Sequence, residues 1–200
     1  MIVNELMLFG NSKEPHVFIF NGKELEVVHE YKYLGAIVNS VKDARGILYK
    51  HMMSYISEKP RKCSFSVARK CAASGIPSPK ISLQLYDTFT SSVLNYASEI
   101  WSTCKETPCI ERVQLQFLKL LLGVKDSTCS VVIYGETGRF PVYVKQRCSL
   151  IKYWYRIVTK NKSTLVKKAY LMLKQLDSLG FTTWVSKIIE LLYLFNFNQY

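Results

Sequence analysis

At 200 residues the chain can form one sizeable domain or two small ones, and 48% hydrophobic against 21% charged residues excludes a disordered polypeptide. Its 27 Lys and Arg against 15 Asp and Glu leave a net charge of +12. That balance points to a polyanionic partner, nucleic acid or an anionic membrane, with a merely soluble basic protein as the alternative.

Glu5 to Phe9 reads as a first strand, broken by Gly10-Asn11-Ser12. Val17, Ile19 and Phe20 then lead into Asn21-Gly22, and Leu25, Val27 and Val28 lead out of it. Asn-Gly is a strong hairpin signal, because both residues tolerate the positive φ that a type I′ turn requires. A third run ends in Tyr31-Lys32-Tyr33-Leu34-Gly35. Gly35 within it marks a place where another backbone or a nucleic-acid strand comes close.

After Asn39 the pattern changes from period two to helical period. Asp43 to Ser57 is expected to be a helix with Ile47, Leu48, His51, Met52 and Tyr55 as its stripe, and Pro60 to interrupt or end it. A second helical stretch runs to Ala73, and residues 74–79 form a loop. Lys80 to Trp101 reads as one long central helix, with Ile81, Leu85, Phe89, Val93, Leu94, Ala97 and Trp101 on its apolar side. Glu99 there is a lone carboxylate, better explained by pairing with a base or capping a turn than by catalysis.

Ile110 to Leu122 is a second amphipathic helix, with Ile110, Val113, Phe117, Leu120 and Leu121 inward. In Val132 to Pro141, Gly138 is placed to end one helix and Pro141 to start the next. From Pro141 to Leu176 there is no acidic residue but nine basic ones. Lys145, Lys152, Arg156 and Lys160 share a helical face. Tyr143, Tyr153, Trp154 and Tyr155 interleave with them, a composition suited to phosphate contacts and to packing on sugars or bases. Trp154 itself is expected in the core. Two last helices, Lys167 to Gly180 and Thr183 to Phe195, pack through Leu171, Leu173, Leu176, Leu179, Trp184, Ile188, Ile189 and Leu192.

Several function classes are disfavoured. Cys63, Cys71, Cys104, Cys109, Cys129 and Cys148 form no C-x-x-C pair, and His16, His29 and His51 all precede them, so no zinc arrangement can be drawn. Scattered single cysteines fit buried free thiols of a reduced compartment better than a disulfide framework. The N-terminus lacks the features of a signal peptide, and Phe181 to Phe197, with Lys187 and Glu190, is too short and charged to span a membrane. An intracellular chain, cytoplasmic or nuclear, is the expectation.

Several motifs in order carry a resemblance. They are Glu26-Val27-Val28-His29-Glu30-Tyr31-Lys32-Tyr33-Leu34-Gly35, then Tyr96-Ala97-Ser98-Glu99-Ile100-Trp101, with alanine where the pattern has glycine. Ile110-Glu111-Arg112-Val113-Gln114 continuing to Leu122 follows, then Tyr134, Glu136, Gly138, Arg139 and Pro141 of a Y-x-E-x-G-R-x-P pattern. From about Met7 onward the chain resembles the C-terminal part of reverse transcriptases of non-LTR (LINE-type) retrotransposons.

The resemblance implies residues 1–40 as a truncated palm edge with a primer-grip hairpin, 41–140 as a helical thumb and 141–200 as a basic C-terminal helical region. The fold class is then mainly α with a small N-terminal antiparallel β-hairpin or sheet, ending in a thumb-like bundle. The opening in mid-strand implies an N-terminally shortened product, and the basic residues usual before the Met7-Leu8-Phe9 segment are replaced by Val3, Asn4 and Glu5. Tyr31, Tyr33, Leu34 and Gly35 would hold the primer end, and Lys145, Lys152, Arg156 and Lys160 the phosphate backbone. Polymerases hold metal with paired aspartates. Asp43, Asp87, Asp126 and Asp177 are isolated, so no catalytic or metal-binding residue is expected, and Mg²⁺ belongs only to a complete parent enzyme. The expected partner is a primer–template duplex, RNA or DNA, bound without sequence preference. The other classes are a helical interaction or scaffold protein with a basic face, and an enzyme in its own right, for which no acid/base or metal constellation is visible.

Overall fold

The computed structural model describes residues 5–8, 17–33, 35–40, 50–75, 78–103, 108–161 and 163–195. Within them the fold is mainly α with short strands at the N-terminal end. The strands are β1 (Glu5–Leu6), β2 (Ile19–Phe20), β3 (Lys23–Glu24), β4 (Glu26–Val27), β5 (Glu30–Tyr33) and β6 (Ala36–Asn39). The antiparallel pair β2–β3 turns through Asn21 at φ 51° and Gly22 at φ 73°, so both residues take the left-handed conformation that the dipeptide permits. The β5–β6 pair is also antiparallel, with Tyr31 opposite Val38 and Tyr33 opposite Ala36.

Two details differ from a single antiparallel sheet. The strands form three separate two-stranded pieces, and β1 pairs with β4 in parallel, Glu5 with Glu26 and Leu6 with Val27. Leu25 joins β3 to β4, so the strand leaving the Asn21-Gly22 turn continues into the one that pairs with β1. Ile19 and Phe20 face solvent rather than a core, so turn chemistry rather than burial sets this hairpin. The β5–β6 pair does reach the helices. Lys32 Nζ donates to the Tyr55 hydroxyl at 2.7 Å, and the Ile37 N–H lies 3.0 Å from Met52 Sδ. The Lys32 ammonium holds the Tyr55 phenol below its ordinary pKa.

Helix α1 (Lys50–Ala73) runs through Pro60 without a break, contrary to the expected interruption. Proline's fixed φ is itself helical, only one hydrogen bond is forgone, and Pro60 is buried, so packing offsets that cost. The part of the expected helix before Lys50 lies outside the described residues.

The stretch expected as one long helix is α2 (Pro79–Tyr86), a π-helical turn (Asp87–Ser91), α3 (Ser92–Leu94), a left-handed residue at Ala97 and α4 (Ser98–Trp101). Its buried face is also not the expected one. Ser82, Tyr86, Thr90, Leu94, Ser98 and Trp101 are inside, whereas Ile81, Phe89 and Val93 are exposed. Residues four apart drift by about 40° per step on an α-helix. The wide π turn absorbs that drift and keeps the Ser82–Tyr86–Thr90–Leu94 row against α1. Small hydroxyl residues let the backbones approach, and on α1 Ser64 is buried as well, its hydroxyl turned back to the Arg61 carbonyl.

Ala97 has φ 52°, a left-handed value that costs a non-glycine residue about 1–2 kcal/mol. Ala97→Gly is therefore expected to raise stability by roughly 0.5–1 kcal/mol, after subtracting the methyl's packing and the flexibility of glycine in the unfolded chain. Urea denaturation of both proteins checks this; a loss of stability would mean that the methyl, not the backbone, decides the site.

Then come α5 (Pro108–Leu122), α6 (Ser130–Thr137), α7 (Val142–Val158), α8 (Leu165–Ser178) and α9 (Trp184–Leu194). On α5 Ile110, Val113, Phe117 and Leu118 are buried, and Leu120, expected inside, is exposed. These buried residues join Met52, Met53, Ile56, Tyr86, Leu94 and Trp101 in the main core. A second cluster unites Leu150 and Trp154 of α7 with Ile188, Leu191 and Leu192 of α9. Trp154 is in the core, as its size predicts. Helix α8 departs most from expectation. Leu171, Leu176 and Leu179 face solvent, and its buried residue is Lys167. Among the described residues no helix is long and apolar enough to cross a membrane. The described cysteines, Cys63, Cys71, Cys109, Cys129 and Cys148, are free thiols, but of these Cys71 alone is buried and Cys129 and Cys148 are exposed, contrary to the expected burial; Cys104 lies outside the described residues.

Candidate nucleic-acid interface

Helix α7 carries most of the basic residues singled out in the sequence, and the Tyr134-to-Pro141 segment fixes where it starts. Gly138, at φ 61°, caps α6, and Pro141 is the N-cap of α7. Arg139 then grips Asp87 of the π turn through two parallel hydrogen bonds of 2.7 Å each. That clasp holds the guanidinium pKa above its ordinary value. Glu111 of α5 accepts from the Tyr134 hydroxyl and, at 2.9 Å, from the Val142 N–H. A carboxylate is thereby placed against the positive end of α7. Burial pushes the Glu111 carboxyl above its ordinary range, and the N–H groups of Val142 and Tyr143 pull the other way. Gln114 Nε2 donates to the Phe140 carbonyl at 2.8 Å. The motif's job is thus to lock α6 and α7 onto α5 and the π turn.

Further along, α7 packs on α4 and is bonded to the end of α3, while α9 is bonded to α4. Gln146 is fully buried and donates to the Leu94 carbonyl at 3.3 Å. Trp184 of α9 donates from Nε1 to the carbonyl of Glu99 at 3.1 Å. Glu99 sits in the first turn of α4; among the described residues its side chain makes neither the expected ion pair nor a cap hydrogen bond, and it lines a groove instead.

On this fixed helix the predicted bases separate. Lys145 donates to Ser91 Oγ at 3.2 Å, so its ammonium is engaged at the π turn. Lys152 and Arg156 both line a groove between α7 and α8, and Lys160 is exposed just beyond the end of α7. The groove has a volume of about 1110 Å³ and also takes in Lys167 and Lys174 of α8.

The interleaved aromatics are largely used inside the protein. The Arg147 guanidinium lies 5.0 Å from the Tyr143 ring centre, and that of Arg156 5.7 Å from Tyr153. Tyr153 also meets Trp184 edge to face, and the Trp154 indole nitrogen reaches the Tyr170 hydroxyl at 3.4 Å. Tyr155, 61% exposed, is the most open of the set.

The hairpin half of the predicted site stands elsewhere. Tyr31 and Tyr33 are exposed on β5, which is tied to α1 rather than to α7. Leu34 lies outside the described residues. Gly35 has φ 86°, and a Cβ there would meet Tyr96 at 3.8 Å, an ordinary contact. The glycine is required by the turn conformation, not by the close approach of another backbone.

Lys167, Lys174 and the apolar residues between the bases were not marked as a site by the sequence, since only the packing of α8 on α7 brings them together. Among the described residues no group of three His, Cys, Asp or Glu is placed to hold a metal ion. No family model, curated protein or solved structure matches this chain.

Proposed function

We propose that this chain is the non-catalytic, primer–template-binding C-terminal part of a reverse transcriptase of the non-LTR retrotransposon type. It holds nucleic-acid duplex through phosphates and without sequence preference. The observation that carries the reading is the acid-free run from Pro141 to Leu176, whose Lys152, Arg156 and Lys160 are all exposed along and just beyond α7. The order of the motifs supports it, as does the use of the Y-x-E-x-G-R-x-P residues to set the position of that helix.

The chain acts inside the cell, cytoplasmic or nuclear, where its thiols stay reduced. Tyr31 and Tyr33 on β5 contact the primer end, and the bases of α7 contact the backbone. It adds no nucleotide on its own, because its aspartates are dispersed and polymerases need a pair.

The test is fluorescence anisotropy with two duplexes of unrelated sequence across a salt series. Equal affinity for both and a steep log-log loss with salt are expected. A clear preference for one sequence, or binding indifferent to salt, overturns the reading. Given Mg²⁺, a primer–template and nucleotides, the same preparation should leave the primer unextended.

A further inference from the structure

We propose that the groove between α7 and α8 is a docking site for an acidic amphipathic helix of a partner protein. Its floor is apolar, formed by Ile151 and Val158 of α7, Tyr170 and Leu171 of α8 and Leu192 of α9. Phosphates do not match such a floor, and an exposed apolar surface of this kind marks a binding face. The patch continues outside the groove on α8, where Met172 is 64% exposed.

The rim supplies charge of one sign. Lys152, Arg156, Lys167 and Lys174 line the groove against one carboxylate, Glu99, and among the described residues none of these bases is ion-paired. Lys167 is the most telling. Only 8% exposed, it gives one N–H to the Val158 carbonyl at 2.6 Å and lies 5.3 Å from the Tyr170 ring centre, so its charge is buried without a counter-ion. A buried ammonium beside an apolar floor calls for an anion that arrives on an apolar body.

Charge complementarity selects the occupant. A second copy of this chain, at +12, would set bases against bases. A flat anionic membrane does not enter a concave groove between two helices. A helix with one apolar stripe flanked by Asp or Glu satisfies both floor and rim. The length fits: the lining runs along α7 from Ser149 to Thr159, about 15 Å or three helical turns.

The probe is a fluorescein-labelled peptide of about 16 residues with Leu at i, i+3, i+4 and i+7, Glu flanking that stripe and Ala on the remaining face, which favours helix when docked. The full chain is expected to bind it at least about 10-fold tighter than a scrambled peptide of the same composition. Tyr155→Ser combined with Leu171→Ser should erase that preference, and both residues are exposed enough to spare the fold. Should the double variant not fold, Lys174→Glu, at an exposed position, replaces it. It should weaken the Glu peptide and strengthen a matching Lys peptide.

Equal binding of the amphipathic and scrambled peptides overturns the proposal. So does a single-stranded oligothymidine whose binding is lost in the Tyr155/Leu171 variant while peptide binding persists, because the groove would then be a nucleic-acid site. Failure of duplex binding by the unaltered chain, by contrast, would sink the nucleic-acid reading alone.

Discussion

Replacement of Phe117 by alanine is expected to lower the unfolding free energy by about 3–5 kcal/mol. Phe117 is fully buried on α5 and stacks on Tyr86 of α2 with ring centres 4.4 Å apart. The pair joins α5 to the segment packed against α1, so truncation leaves a cavity bordered by helices that are themselves clamped. Arg139 on Asp87 and Glu111 on Tyr134 hold the surrounding backbone and limit its collapse into the space. A loss of this size is a large part of the stability of a typical domain. Tyr86→Phe is the opposite case. Its hydroxyl is buried and, among the described residues, has no hydrogen-bond partner, and burial raises the phenol pKa well above the ordinary value. Removing an unsatisfied buried hydroxyl is expected to be neutral or stabilising by up to about 1 kcal/mol. Urea denaturation of both variants at a common pH checks the pair. A loss below about 1 kcal/mol for Phe117→Ala would show that the core re-closes.

What the sequence disclosed follows the range of the forces involved. The turn at Asn21-Gly22, the cap at Gly138 and the start of α7 after Pro141 depend on the φ preferences of one or two residues, and all three stand as read. Pro60 depends on a balance. Its local chemistry argues for a break, and burial against the core decides for continuity. The Ile81–Phe89–Val93 stripe misled because hydrophobicity alone does not choose a helix face when close approach is at stake. Ser82, Thr90 and Ser98 are small enough to sit inside.

The site divides in the same way. That Lys152 and Arg156 share a face is a matter of helical spacing and was legible. That Lys167 is buried beside Tyr170, and that Leu171 faces outward, depends on how α8 settles on α7, and no local pattern carries that information. Tyr31 and Tyr33 could be placed on one strand face from their alternation, but their separation from α7 could not, because it depends on which helix receives the β5–β6 pair.

Substituting Gln for Lys152, Arg156 and Lys160 together is expected to flatten the salt dependence of duplex binding by about 2.7 units of log-log slope, at about 0.9 for each phosphate that is no longer neutralised. Over a rise from about 50 to 200 mM salt, that removes roughly 40-fold of the affinity loss shown by the unaltered chain. Each residue is exposed, and Gln retains helix propensity and part of the side-chain length, so the fold should persist, as circular dichroism would confirm. Affinity at low salt should fall about equally for duplexes of unrelated sequence, because phosphates carry no base identity. Lys145 serves as the internal contrast. Its ammonium is bonded to Ser91 Oγ, so Lys145→Gln should change the slope by less than any one of the three. Lys160 separates the two proposals for α7. It stands outside the groove that Lys152 and Arg156 line, so Lys160→Gln alone should weaken duplex binding and leave the acidic peptide untouched. An unchanged slope in a folded triple variant would show that this face is merely solvated, and the protein-docking groove would then be the better account of the basic run.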